Sequence, residues 1–228
     1  MQFLDFNLNN LSSTAYILII GRNDYTEAKH NLITTILKKF HHTYPEANSL
    51  IVSKDIHFYK NNFPKAQIEK KYSQNLLKLS KDTNINGAII LDDCLDTVGS
   101  YQKDEPFIEL MYNGKHYKNL VILSMQYPLG LKPEFRCQFD YVFLFGSYSL
   151  TYKKKLYNYY AGFFPNLNLF NESFNDLTSN NDAMVIKNRG FGKNICDRIF
   201  HYKFNKEINN DNDNDIASDD SGRIVIYI

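Results

Sequence analysis

Three apolar runs in the chain end in side chains able to handle a phosphate or a metal ion. YILII (Tyr16–Ile20) runs into Gly21, a short loop and an amphipathic segment that opens at Lys29. GAIIL (87–91) ends in Asp92-Asp93, and LVIL (120–123) ends in Ser124, Met125 and Gln126. A lysine at a helix start offers a point charge to an anion, beside the free N–H groups of the first turn. Of two adjacent carboxylates, one can hold a hydrated Mg²⁺ and its neighbour can take a proton from an attacking water. A polar amide on a nearby strand can orient that water. Taken singly, each signal also has a plain structural reading. Asp92-Asp93 can cap a turn, Gln126 can be a solvated strand end, and the loop after Gly21 can be a turn.

Their grouping depends on the elements that carry them. The spacing predicts strands at 16–20, 49–53, 87–91, 120–123 and 141–145, all apolar without alternation, hence covered on both faces. A helix over 29–42 puts Leu32, Ile33, Ile36, Leu37 and Phe40 on one face, and Pro45 stops it. A second helix over 65–80 places Ile68, Tyr72 and Leu76 at spacings of four, and a third covers 150–160. Two further strands, 183–186 and 198–202, are joined by a glycine-containing turn and add an antiparallel edge hairpin. Strands alternating with helices give an α/β fold with a mainly parallel central sheet. In such a sheet the carboxyl ends of the strands form the ligand crevice, so the three polar strand ends share one place. That is the division of labour in a P-loop nucleotide hydrolase: a loop for phosphates, a carboxylate for Mg²⁺, a neighbour as base and a polar sensor.

Composition narrows the classes. A chain of 228 residues with 43% hydrophobic and 22% charged residues is ordinary for a soluble globular domain. The net charge of +1 argues against strong overall attraction to a polyanion. Glu207–Ile228, however, carries six acidic residues and Arg223, so the body keeps 25 basic against 19 acidic residues, +6. This is compatible with contact to nucleic acid and equally with a solvated surface. The tail NNDNDNDIASDDSG reads as disordered, with 224–228 able to pair as an edge strand, and the expected division is one domain over 1–206 and an acidic tail over 207–228. Cys94, Cys137 and Cys196 fit neither a disulfide framework nor a zinc site and point to a reducing compartment. No membrane span and no leader are expected.

The residues also carry a resemblance. GAIILDDCLD, LMYNGKHYKNLVILSMQYPLGLKPEFRCQFDYVFLFG and YNYYAGFFP, with HFYKNNFP and DAMVIKN, resemble the genome-packaging ATPase of poxviruses and other nucleocytoplasmic large DNA viruses, in the FtsK/HerA branch of P-loop motors. The similarity runs from about 16 to 206. It implies a RecA-like P-loop NTPase fold with helices on both faces of the sheet. It also implies Mg-ATP as cofactor and double-stranded DNA with capsid or packaging proteins as partners. A ring homo- or hetero-oligomer and a place in the host cytoplasm (the virus factory) or the virion follow. Carried over, Asp92 is the Mg²⁺ carboxylate, Asp93 the general base and Gln126 the sensor. Arg136 falls where the family has arginine, for a phosphate or a subunit interface; pairing with Glu134 or Asp140 is its other reading.

Two departures qualify that function. Read without gaps from Gly21, the loop puts Thr26, Glu27 and Ala28 where GxxxxGK[ST] has Gly, Lys and Ser/Thr. A second register, two residues longer, gives Lys29 the lysine position, Ala28 the second glycine and His30 the Ser/Thr, with Gly21 still opening the loop. Cradle glycines are missing in both. After the fifth strand, Gly146-Ser147 replaces an Arg-Glu pair. The expectation is a divergent homologue of the packaging ATPase with impaired hydrolysis, a pseudo-ATPase acting in genome packaging or virion assembly. The alternatives are an active DNA translocase with an unusual phosphate loop and a non-catalytic structural protein of the virion.

Overall fold

In a computed structural model, residues 3–82, 87–95, 99–128, 130–190 and 194–204 are described. The acidic tail and the 224–228 strand lie outside them. Nine strands form one sheet in the order β1-β9-β8-β7-β2-β6-β5-β3-β4. They are β1 (Leu4–Asp5), β2 (Tyr16–Ile20), β3 (Ser49–Ser53), β4 (Gln67–Glu69), β5 (Ala88–Asp92), β6 (Leu120–Met125), β7 (Tyr141–Phe145), β8 (Ala183–Lys187) and β9 (Ile199–Tyr202). All neighbours run parallel except β7–β8 and β8–β9. The α/β fold with a mainly parallel sheet is therefore as expected. The antiparallel hairpin is present too, but β1 pairs outside β9, so the hairpin is not the last edge.

Helices cover both faces. Tyr16, Leu18 and Ile20 of β2 look into one core, against Phe107 and Met111 of α4 (Glu105–Asn113), Leu156 of α6 (Leu150–Tyr160) and Phe170 of α7 (Leu167–Leu177). Ile17 and Ile19 look into the other, against Leu32, Ile33, Ile36 and Leu37 of α1 (Thr26–Thr43) and Tyr59 of α2 (Ile56–Asn62). Burial on both faces explains the unbroken apolar runs; each such side chain contributes about 1.5–3 kcal/mol by leaving water.

The helix expected over 65–80 is a correction. Gln67–Glu69 forms β4, hydrogen-bonded parallel to β3, and α3 starts only at Gln74 (Gln74–Asp82). Ile68 packs against the core as a strand residue, and only the later part of the stretch is helical. A spacing of four is also a multiple of two, so Ile68, Tyr72 and Leu76 satisfied both periods.

Candidate functional site

The central strands deliver the polar strand ends to one place. In register, Ser53 of β3 faces Asp92 of β5, Asp92 faces Ser124 of β6, and Ser124 faces Ile19 of β2. Gly21 and Gln126 come one residue beyond the paired Ile20 and Met125, with the Gly21 N–H donating to the Met125 carbonyl at 3.1 Å. A Cβ on Gly21 would stand 3.0 Å from Phe145 Cβ, so a side chain there must displace β7.

The first turn of α1 meets the carboxylates. Lys29 is fully buried, and its Nζ donates to Asp93 Oδ2. His30 Nε2 lies 3.1 Å from Asp92 Oδ2, which also accepts from Ser53 Oγ at 3.1 Å and Tyr59 Oη at 3.0 Å. Lys29 and His30, the residues that the longer loop register singles out, thus face Asp93 and Asp92. Burial pushes the Asp92 carboxyl upward, but the His30 contact and the Lys29 charge outweigh it and hold Asp92 below the ordinary carboxylate value. The Tyr59 hydroxyl, buried against Asp92, is raised far above its usual range and stays a donor. Burial, reinforced by Asp92, lifts the Cys94 thiol to about 12, which removes it as a nucleophile.

Asp92 Oδ1, Asp93 Oδ1 and Ser124 Oγ are buried without a hydrogen-bond partner among the described residues. Buried oxygens left unpaired are costly. Mg²⁺ takes oxygen ligands and is held by one or two carboxylates together with nucleotide phosphates. This half of the site fits a hydrated Mg²⁺ delivered with a nucleotide; His30, a nitrogen donor, does not. Among the described residues no group of three or more His, Cys, Asp and Glu makes a closed metal cage. Bound Mg²⁺ would neutralise phosphate charge, with Asp92 as its holder.

No model of a known protein family matches the chain. It is 30% identical over 222 residues to the uncharacterized protein L437 of Acanthamoeba polyphaga mimivirus, covering 89% of this chain and 77% of that protein. The chain belongs to the family of L437. Protein 088R of Invertebrate iridescent virus 3 is 29% identical over 197 residues, covering 82% and 74%. Among solved structures, the genome-packaging NTPase B204 of Sulfolobus turreted icosahedral virus 2 with sulfate superposes at a TM-score of 0.59. That match has 11% identity over 85% of this chain and 98% of B204. B204 with ATP-gammaS gives 0.56 and 13% identity, over 77% and 93%. The fold of this large-DNA-virus family is that of a viral genome-packaging NTPase, as the sequence resemblance implied.

The loop between β2 and α1 is short and internally bonded. Asn23–Tyr25 forms a 3-10 turn running straight into α1; the Tyr25 N–H donates to the Arg22 carbonyl at 3.0 Å, and the Thr26 N–H to Asn23. Amides that would line a glycine-rich cradle are thereby engaged within the loop. At the N-cap of α1, the Tyr25 side chain makes no capping hydrogen bond.

The two departures noted in the sequence meet in space. Tyr25 lies over Phe145 with ring centroids 5.6 Å apart, and its hydroxyl would be 2.4 Å from a Cβ on Gly146. Gly146 makes room for the Tyr25 hydroxyl; a Cβ there requires that hydroxyl to move and also stands 3.2 Å from the Thr178 carbonyl and hydroxyl oxygens. Gly146→Ala should cost about 1–3 kcal/mol through overpacking. In a Tyr25→Phe background, which removes the colliding atom, less than half of that cost should remain. A urea double-mutant cycle measures the coupling, and an additive result contradicts it.

Gln126 is brought to the cluster's edge, half-exposed, with its carbonyl accepting from Tyr152 Oη at 2.8 Å. Arg136, at the end of α5 (Pro133–Arg136), is not. Its guanidinium stacks 4.3 Å from the Tyr159 ring, and its carbonyl accepts from Asn188 at 3.4 Å. Neither Glu134 nor Asp140 pairs with it among the described residues; Asp140 is taken by Lys115 and Arg189. Sequence reasoning passed over three supports: Ser53, Tyr59 and Phe58, whose ring stacks 4.4 Å from His30. Phe58 and Tyr59 lie in HFYKNNFP, a block whose spacing shows no tie to Asp92.

Proposed function

We propose that the chain is a genome-packaging or virion-assembly protein of a large DNA virus that binds Mg-ATP at the Lys29–Asp93 and His30–Asp92 pairs and hydrolyses it slowly. The pairing of the buried Lys29 with Asp93, beside His30 on Asp92, carries this reading. Lys29 binds phosphate, Asp92 holds Mg²⁺, Asp93 is the base, Gln126 orients water, and Gly21 and His30 shape the loop. Hydrolysis is slow because engaged loop amides and His30 give less support to charge developing on the phosphoryl oxygens. Double-stranded DNA, capsid or packaging proteins and a ring of like or unlike subunits are its partners, with Arg136 serving a subunit interface. It works in the virus factory or the virion as one domain over 1–206 with an acidic appendage. No described helix is long and apolar enough to cross a membrane.

Millimolar Mg-ADP or Mg-ATP-gammaS should raise the melting temperature; at a hundredfold excess over Kd the gain is about 2.7 kcal/mol. An unchanged melting temperature overturns the nucleotide site. The active-translocase reading is favoured by the assembled Lys29 and Asp93, and it requires Mg²⁺-dependent turnover stimulated by duplex DNA.

A further inference from the structure

The motif NGKHY and the aspartate of FDYVF take no part in the strand-end site. They meet at the opposite end of the central strands, roughly 16 Å away along five strand residues. Asp140 Oδ1 and Oδ2 both accept from Lys115 Nζ at 2.6 Å; Oδ1 also lies 3.2 Å from Arg189 Nε, and Oδ2 accepts the Tyr16 N–H at 2.8 Å. Lys187 and Arg189 stand on a corner fixed to the body. The Lys187 N–H donates to the Arg198 carbonyl, the Asn188 N–H to the Asp140 carbonyl, and Arg189 Nη2 to the Gln138 carbonyl. These groups border a cavity of about 220 Å³, walled on its other side by Ser12 and Thr14, whose hydroxyls are 3.2 Å apart.

One carboxylate stands among three cations in this cavity. Asp140 accounts for Lys115 and for one edge of Arg189. It does not account for Lys187, which makes no ion pair among the described residues, nor for Nη1 of Arg189, whose Nη2 donates to both the carbonyl and the Oε1 of Gln138. The surplus of two positive charges, with one hydroxyl proton left over from the Ser12–Thr14 hydrogen bond opposite, suits a tetrahedral oxyanion. We propose that this cavity binds a phosphate group, through Lys187, Arg189 and the free donor of Lys115. Its source is either a nucleic-acid backbone phosphodiester or free phosphate. The proposal does not depend on the nucleotide reading, which concerns the other end of the strands.

The test uses the full chain and its Lys187→Ala/Arg189→Ala variant, which leaves Asp140 paired with Lys115. Binding of a labelled 20-base-pair duplex is followed by anisotropy against salt, and melting temperature against inorganic phosphate. Removing one cation that neutralises a backbone phosphate lowers the slope of log K against log salt by about 0.9, so the double variant should show a slope shallower by about 1.8. That result, with inorganic phosphate competing in the wild type, supports the backbone source. A wild-type melting shift with phosphate that the variant lacks, at unchanged DNA slope, supports free phosphate. If the wild type responds to neither probe, or the variant responds to both as the wild type does, the proposal is overturned. Should the double variant fold poorly, Lys187→Ala alone, at an exposed position, should still lower the slope by about 0.9.

Discussion

Lys29→Ala should destabilise the protein by about 3–5 kcal/mol and remove any melting shift with Mg-ADP. Lys29 is completely buried, and its ammonium is held by Asp93, itself mostly covered. Asp92, the next residue, is also buried. Deleting the ammonium leaves neighbouring carboxylates in one desolvated spot with His30 as the remaining basic partner. At an effective dielectric of about 20, two like charges 4 Å apart repel by about 4 kcal/mol. Against a folding free energy of about 5–15 kcal/mol this is a large loss. The effect is specific to charge, so the sign of a second substitution tests it. Asp93→Asn should destabilise the wild type but rescue Lys29→Ala, because in that background it removes an unpaired buried charge. Urea unfolding of the four proteins decides it. A cost below about 1 kcal/mol for Lys29→Ala, or the same effect of Asp93→Asn in both backgrounds, contradicts the buried-pair account.

Much of this site was legible because it is local to strand ends. Apolar runs that are covered on both faces announce themselves without periodicity, and the residues just after them fall in the crevice by topology. Gly21, Asp92, Asp93 and Gln126 could therefore be placed together, and the helix pattern after Lys29 pointed to the residues that meet the two carboxylates. What could not be read is contact across long sequence separation. Tyr59 reaches Asp92 over 33 positions, Lys115 reaches Asp140 over 25, and Tyr25 occupies the space beside Gly146. Each of these meetings depends on packing that no spacing encodes. Arg136 marks the opposite case. Its family position allowed a phosphate or a subunit-interface role, or pairing with Glu134 or Asp140; α5 leads toward the start of β7, and the guanidinium settles on Tyr159. Gly146 was visible as a missing arginine, but only the three-dimensional neighbour shows that its small size is needed.

Asp93→Asn in the wild-type background should move nucleotide affinity and turnover in opposite directions. Asp93 stands at φ +44°, a left-handed conformation that asparagine adopts as readily as aspartate, so the chain path after β5 is kept. Alanine there would add a backbone cost of about 1–2 kcal/mol and blur the result. The Lys29 ammonium is engaged by Asp93 Oδ2, whereas the proposed phosphate binding would need that same ammonium. Apparent affinity is reduced by the fraction of molecules in which Lys29 is free, and an amide holds an ammonium far less strongly than a carboxylate does. Binding of Mg-ATP-gammaS should hence be as tight as in the wild type or tighter. Turnover should fall by about 10²–10⁴-fold, the usual contribution of a positioned base, because an amide cannot accept the proton of the attacking water. Titration calorimetry and single-turnover hydrolysis separate the two effects. Weaker binding in the variant would mean that Lys29 does not exchange between Asp93 and phosphate. Unchanged turnover would mean that whatever hydrolysis the protein performs does not pass its proton to Asp93, and the base would have to be sought elsewhere along the strand ends.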